Sequence, residues 1–137
     1  MSPDDLKKRT KQFALRVLKL VAALPKTVEG RAIAGQLTRA GTAVGANYRA
    51  ACRSRSKAEF VAKIGVVEEE ADESAYWMEL IIEGGLLKPT QVEPLLAEAN
   101  ELAKIMAQSR ISASATLQRK TNGKSAIGNR KSVMIYG

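Results

Sequence analysis

From Phe60 to Ile81 the residues Phe60, Ile64, Val67, Ala71, Ser74, Met78 and Ile81 alternate steps of four and three along the chain. An α-helix turns once every 3.6 residues, so this spacing draws one seam down one side of a rod. Tyr76, Trp77 and Leu80 widen the seam. A rod with a single apolar side hides it only by packing against other rods.

The chain supplies three more rods. Ser2-Pro3-Asp4-Asp5 opens the first: Ser caps, Pro suits the first helical position, and the acids suit the positive end of the helix dipole. Leu6, Phe13, Val17, Leu20, Val21 and Leu24 follow at helical spacing, and Pro25 stops the run. A second stretch from Thr27 carries Ile33, Leu37, Val44 and Tyr48, with Gly30, Gly35, Gly41 and Gly45 interspersed. Interior glycines weaken a helix, so the sequence predicts a kink or brief break at 40–45. Ser56-Lys57-Ala58-Glu59 reads as a capping box for the third stretch, and Gly84-Gly85 as its stop. The fourth is expected to start at Thr90, capped with Glu93, and to face inward through Leu95, Leu96, Ala99, Leu102, Ala103 and Met106. Pro94 is tolerable there only in or beside the first turn.

With 137 residues there is room for one core. Only 4% of residues are aromatic, so Leu, Ile, Val and Ala must fill it, which suits close-packed helices. Short links between the stretches favour antiparallel neighbours. The expected architecture is all-α: an up-down-up-down four-helix bundle with a kinked second helix over 1–110, followed by a basic, disordered tail over 111–137. The tail is predicted from its shift to Ser, Ala, Thr, Asn, Gly and Lys, and is read as mostly disordered, with room for some helix to spill over from the fourth stretch.

Several chemistries are missing. There is no histidine, which removes the commonest general base and neutral metal ligand, and with it any Ser-His-Asp or Cys-His arrangement within the chain. No phosphate-binding glycine loop is present. Cys52 lies among Arg49, Arg53 and Arg55, neighbours that can activate a thiol, but a small packing residue is the plainer reading. The acidic run Glu68-Glu69-Glu70-Ala71-Asp72-Glu73 could hold magnesium, yet a solvated face is the plainer reading. The expectation is therefore a protein that is not an enzyme and needs no cofactor and no metal. A lone cysteine, the absence of a signal pattern and the absence of a membrane-length apolar run place it in the cytoplasm.

Charge carries the functional signal. The net charge is +8. From Arg31 to Lys63 there are seven basic residues and one acid; from Val66 to Gly84 there are seven acids and no base. From Ile111 onward there are five basic residues and no acid. Segregation of this kind can pair within the bundle, steer one subunit onto another, or leave a basic surface for phosphates. Aromatic platforms for stacking bases are not evident, so contact with a nucleic-acid backbone is the most the residues permit.

The run Gln36-Leu37-Thr38-Arg39-Ala40-Gly41, continuing as Thr42-Ala43-Val44-Gly45-Ala46-Asn47-Tyr48-Arg49-Ala50-Ala51, resembles the four helix bundle protein family, also called 23S rRNA intervening-sequence proteins. Ser56–Phe60 and Gly65–Leu80 resemble the same family's third helix. Asn47 matches a signature Asn, whereas Ala50-Ala51 stands where many members carry an acid-Gly pair and Gly45 where some have Pro. The resemblance implies a four-helix protomer that assembles into a homopentamer. It also implies kinship with the accessory protein of diversity-generating retroelements, a basic pentameric barrel that binds nucleic acid and a reverse transcriptase. For Asn47 the plainer reading is a polar side chain satisfying backbone groups at the expected bend of the second helix.

The expected nucleic-acid contacts are Arg39, Arg49, Arg53, Arg55, Lys57, Arg119 and Lys120, toward RNA or DNA. The expected contacts between copies are Asn47, Tyr48, Glu69, Asp72 and Glu73. The alternative is a scaffold whose charge blocks serve self-assembly and a protein partner.

Overall fold

The computed structural model describes residues 1–127. They form four helices: α1 (Pro3–Ala22), α2 (Val28–Cys52), α3 (Lys57–Glu83) and α4 (Pro89–Ile127). No strand occurs among the described residues. Each helix packs on the next, and α4 returns to α1. With links this short, consecutive helices run antiparallel, and the result is a four-helix bundle.

Local chemistry explains the ends. At α1 the Ser2 hydroxyl accepts from the Asp5 N–H and the Asp5 carboxylate accepts from the Ser2 N–H, both at 3.1 Å, with Pro3 in the first helical position. Thr27 accepts from the Gly30 N–H at 3.1 Å to start α2. Ser56 accepts from the Glu59 N–H at 3.1 Å, but Glu59 does not return the bond to Ser56. Its carboxylate takes the Arg55 N–H at 3.3 Å and the Lys63 ammonium at 2.9 Å, so the expected box is half formed. α3 ends where Gly85 adopts φ +69°, a conformation glycine reaches without a Cβ penalty. α4 starts at Pro89 rather than Thr90, because the fixed φ of proline is already helical. The Gln91 side chain, not Glu93, returns to the chain there, accepting from the Lys88 N–H at 3.1 Å. Pro94 lies inside the helix, which continues through it.

The core follows the seams. Ile64, Val67, Ala71, Ser74, Met78 and Ile81 of α3 are all buried, and Phe60 is half-buried against them. Phe13, Val17, Leu37, Val44, Leu102 and Met106 are fully enclosed. Two buried hydroxyls are satisfied by their own helices: Thr10 donates to the Leu6 carbonyl at 2.7 Å and Ser74 to the Glu70 carbonyl at 2.8 Å.

Two expectations are refined. α2 runs from Val28 to Cys52 without the brief break that its glycines allowed for. Its glycines serve packing: a Cβ on Gly41 would lie 2.7 Å from a Val17 methyl, and one on Gly45 would lie 3.3 Å from the Thr10 hydroxyl. They let α1 and α2 approach closely. The second change concerns 111–127, which continues α4 instead of forming a disordered tail. Ala113 is buried, and Thr116 and Thr121 fold their hydroxyls back onto the carbonyls of Ser112 and Leu117, each at 3.1 Å. Residues 128–137 of the expected tail lie outside the described residues. Lys57 at the start of α3 shares a cleft with Thr116. α4 therefore overhangs the bundle by about 16 Å beyond Thr116.

Candidate nucleic-acid interface

Three of the seven acids in the acidic block hold helices together. Arg39 of α2 bridges to Glu70 of α3 at 3.0 Å and also pairs with Glu73. Glu73 accepts a further bond from the Trp77 indole at 3.0 Å, and the two donors hold its carboxyl below the usual carboxylate range, Trp77 most. Arg110 of α4 meets Glu68 of α3 at 2.7 Å. Arg9 of α1 grips Glu98 of α4 through two bonds of 2.8 Å. Among the described residues Glu69, Asp72, Glu79 and Glu83 are exposed and form no ion pair. No group of three or more His, Cys, Asp or Glu among the described residues is placed to hold a metal ion.

Basic residues gather at three places in particular. The first is a groove between α1 and α2, about 440 Å³ in volume, lined by Lys7, Lys8, Lys11 and Arg49 over a floor that includes Ala14, Gly45 and Ala46. No acidic side chain lines it. The nearest acid pairing is Asp4 with Lys7, at 4.0 Å and well exposed. The groove exists because Gly45 and Ala46 carry almost no side chain beside the Ala14 surface, so the long lysines stand as walls. The second place is the α2–α3 link, which brings Arg55 and Lys57 to one end of the bundle with exposed Arg53 nearby in the link. The third is the α4 overhang, where exposed Arg119 and Lys120 follow within a turn of Thr116. Lys57 and Thr116 line one cleft, so the second and third places adjoin at the same end.

Of the expected nucleic-acid contacts, Arg49, Arg53, Arg55, Lys57, Arg119 and Lys120 form no ion pair among the described residues. Arg39 stands apart, held by two carboxylates. Lys7, Lys8 and Lys11 were missed because the charge blocks were counted along the sequence, and these lysines belong to α1. Their signal was present: small residues at 41, 45 and 46 mark where α1 must come close, and so bring its lysines to Arg49.

Of the expected contacts between copies, Tyr48 is buried inside its own bundle. Burial, and then its hydrogen bond with Cys52, pushes the Tyr48 phenol up. Asn47 donates to the Ala43 carbonyl at 2.9 Å, the backbone-satisfying role of the plainer reading. Glu73 is taken by Arg39 and Trp77, while Glu69 and Asp72 face outward. No helix among the described residues is long and apolar enough to cross a membrane.

Comparison with known proteins gives a family and a fold. A family model described as 23S rRNA-intervening sequence protein matches residues 5–108. A crystal structure of a protein of unknown function from the S23 ribosomal protein family of Bacteroides thetaiotaomicron superposes with a TM-score of 0.72 at 30% identity, covering 77% of this chain and 97% of that one. No curated protein matches.

Proposed function

Since the chain belongs to the 23S rRNA-intervening sequence protein family, we propose that it is a non-enzymatic, homo-oligomeric helical-bundle protein that binds nucleic acid, RNA first, through its phosphates. The observation that carries this reading is the α1–α2 groove, with four cations around one open channel and no acid lining it. Clustered cations release the counterions condensed on a polyanion, which supplies sequence-independent affinity. The basic α2–α3 link and the α4 overhang extend the surface at one end.

Self-assembly is supported by what remains uncovered. Leu15 and Leu18 on α1, and Val66 and Tyr76 on α3, are large apolar side chains at 42–52% exposure. The exposed Glu69 and Asp72 stand near Val66 and Tyr76 on α3, opposite in charge to the α1–α2 face. A basic face on one copy meeting an acidic face on the next is a head-to-tail contact, which closes into a ring when the rotation between copies closes. A ring of five is the count implied by the family resemblance.

The second reading, a scaffold whose charge blocks serve self-assembly and a protein partner, is favoured by the exposed acids Glu69, Asp72, Glu79 and Glu83, which form no ion pair among the described residues. Native mass spectrometry of protein purified with and without nuclease separates the two. Nuclease-sensitive mass on a five-subunit species supports the first reading. An oligomer that never carries nucleic acid, even at low salt, contradicts it.

A further inference from the structure

A basin of about 680 Å³ opens where α1 begins, α2 ends and α3 begins, with α4 contributing Ser109. Its apolar wall includes Leu6, Ala51 and Phe60, and its rim carries Lys7, Arg55 and Lys57, with no acidic side chain in the lining. A further feature favours an anion. The backbone N–H groups of Lys57 and Ala58, in the first turn of α3, form no hydrogen bond among the described residues.

We propose that the basin takes the terminal phosphomonoester of a nucleic-acid strand, the phosphate lying between Arg55, Lys57 and the first amides of α3 and the terminal nucleoside resting on Phe60. This rests on the nucleic-acid reading and adds a strand end to it. An internal phosphodiester carries one charge and continues in both directions. A terminal phosphomonoester carries nearly two charges at neutral pH and three free oxygens, suited to a rim that carries Lys7, Arg55 and Lys57. The apolar wall suits a nucleoside body better than free phosphate, and Phe60 is the one half-exposed aromatic ring there. The groove along α1 and α2 is the complementary surface for internal phosphates.

The test compares a short oligoribonucleotide bearing a 5′-phosphate, a 3′-phosphate or hydroxyls at both ends, each titrated onto the full chain. At least one phosphorylated end is expected to bind about tenfold tighter than the hydroxyl-ended strand. In Arg55→Ala/Lys57→Ala that ratio falls to about one, and in Phe60→Leu, which keeps the apolar packing, it falls by about threefold. Equal affinity of all three strands for the native chain overturns the proposal and leaves the nucleic-acid reading standing. Failure of every strand to bind at low salt overturns that reading with it.

Discussion

Arg9 and Glu98 form a two-pronged ion pair between α1 and α4, Nε to Oε2 and Nη2 to Oε1 each at 2.8 Å. Both side chains are mostly shielded, at 29% and 17% exposure. The pair spans the helix boundary with the least packing, where α4 returns to α1. Arg9, more than any other neighbour, holds the Glu98 carboxyl below the usual carboxylate range. A carboxyl with a lowered folded-state pKa stabilises the fold above its unfolded pKa and loses that contribution as pH falls through the folded value. Glu98→Gln should therefore cost about 1–2 kcal/mol at pH 7. The difference from the native chain should shrink as pH drops below about 4. Urea unfolding of both proteins at pH 7 and pH 3 reads it; a difference that persists undiminished at pH 3 speaks against the pair.

Two glycines of α2 should respond in opposite directions. At Gly41 an added Cβ meets two Val17 methyls at 2.7 and 2.9 Å, and Val17 is fully buried with stiff branching at its own Cβ. Gly41→Ala should destabilise by about 1–3 kcal/mol. Gly35 meets nothing within 4 Å, so Gly35→Ala should stabilise by about 0.5–1 kcal/mol. Thermal or urea unfolding checks both, and equal effects would remove the close-approach account of α2.

The overhang of α4 adds little to the bundle. Beyond Ala113 none of the residues with described side chains is fully buried, and short lone helices are marginal in water. A chain ending at residue 116 should unfold within about 0.5 kcal/mol of the full chain. It should bind RNA more weakly, because Arg119 and Lys120 are gone. In hydrogen exchange the amides of 95–113 should be protected far longer than those of 118–127. Loss of the fold on truncation would show that the overhang supports the core.

Arg39 and Arg49 lie on the same helix and should behave differently. Arg39→Ala should leave the salt slope of RNA binding unchanged, because its guanidinium is already engaged by Glu70 and Glu73. Arg49→Ala should make the slope shallower by nearly one unit, the loss of about one phosphate contact. Binding titrations at several salt concentrations distinguish them.

Most of the bundle was legible because apolar spacing is local information. The α3 seam from Ile64 to Ile81 is buried at every step it named. What failed depended on neighbours distant in sequence. Gly41 and Gly45 look like weak points until Val17 and Thr10 are placed against them. Composition at 111–127 resembles a loop, yet Ala, Ser and Thr are compatible with helix once Ala113 is docked. At the candidate site, counting charges along the chain found Arg49 but not the α1 lysines opposite it. The same count offered Arg39 for phosphate, although Glu70 and Glu73 hold it within the protomer.

The most direct test of the α1–α2 groove is the salt dependence of RNA affinity in the native chain and in Lys8→Ala/Lys11→Ala/Arg49→Ala. The native chain should lose affinity steeply as salt rises, and the triple variant should show a slope shallower by about two units for a single strand. An affinity indifferent to salt, or a triple variant with the native slope, would contradict the assignment of this groove to the phosphate backbone.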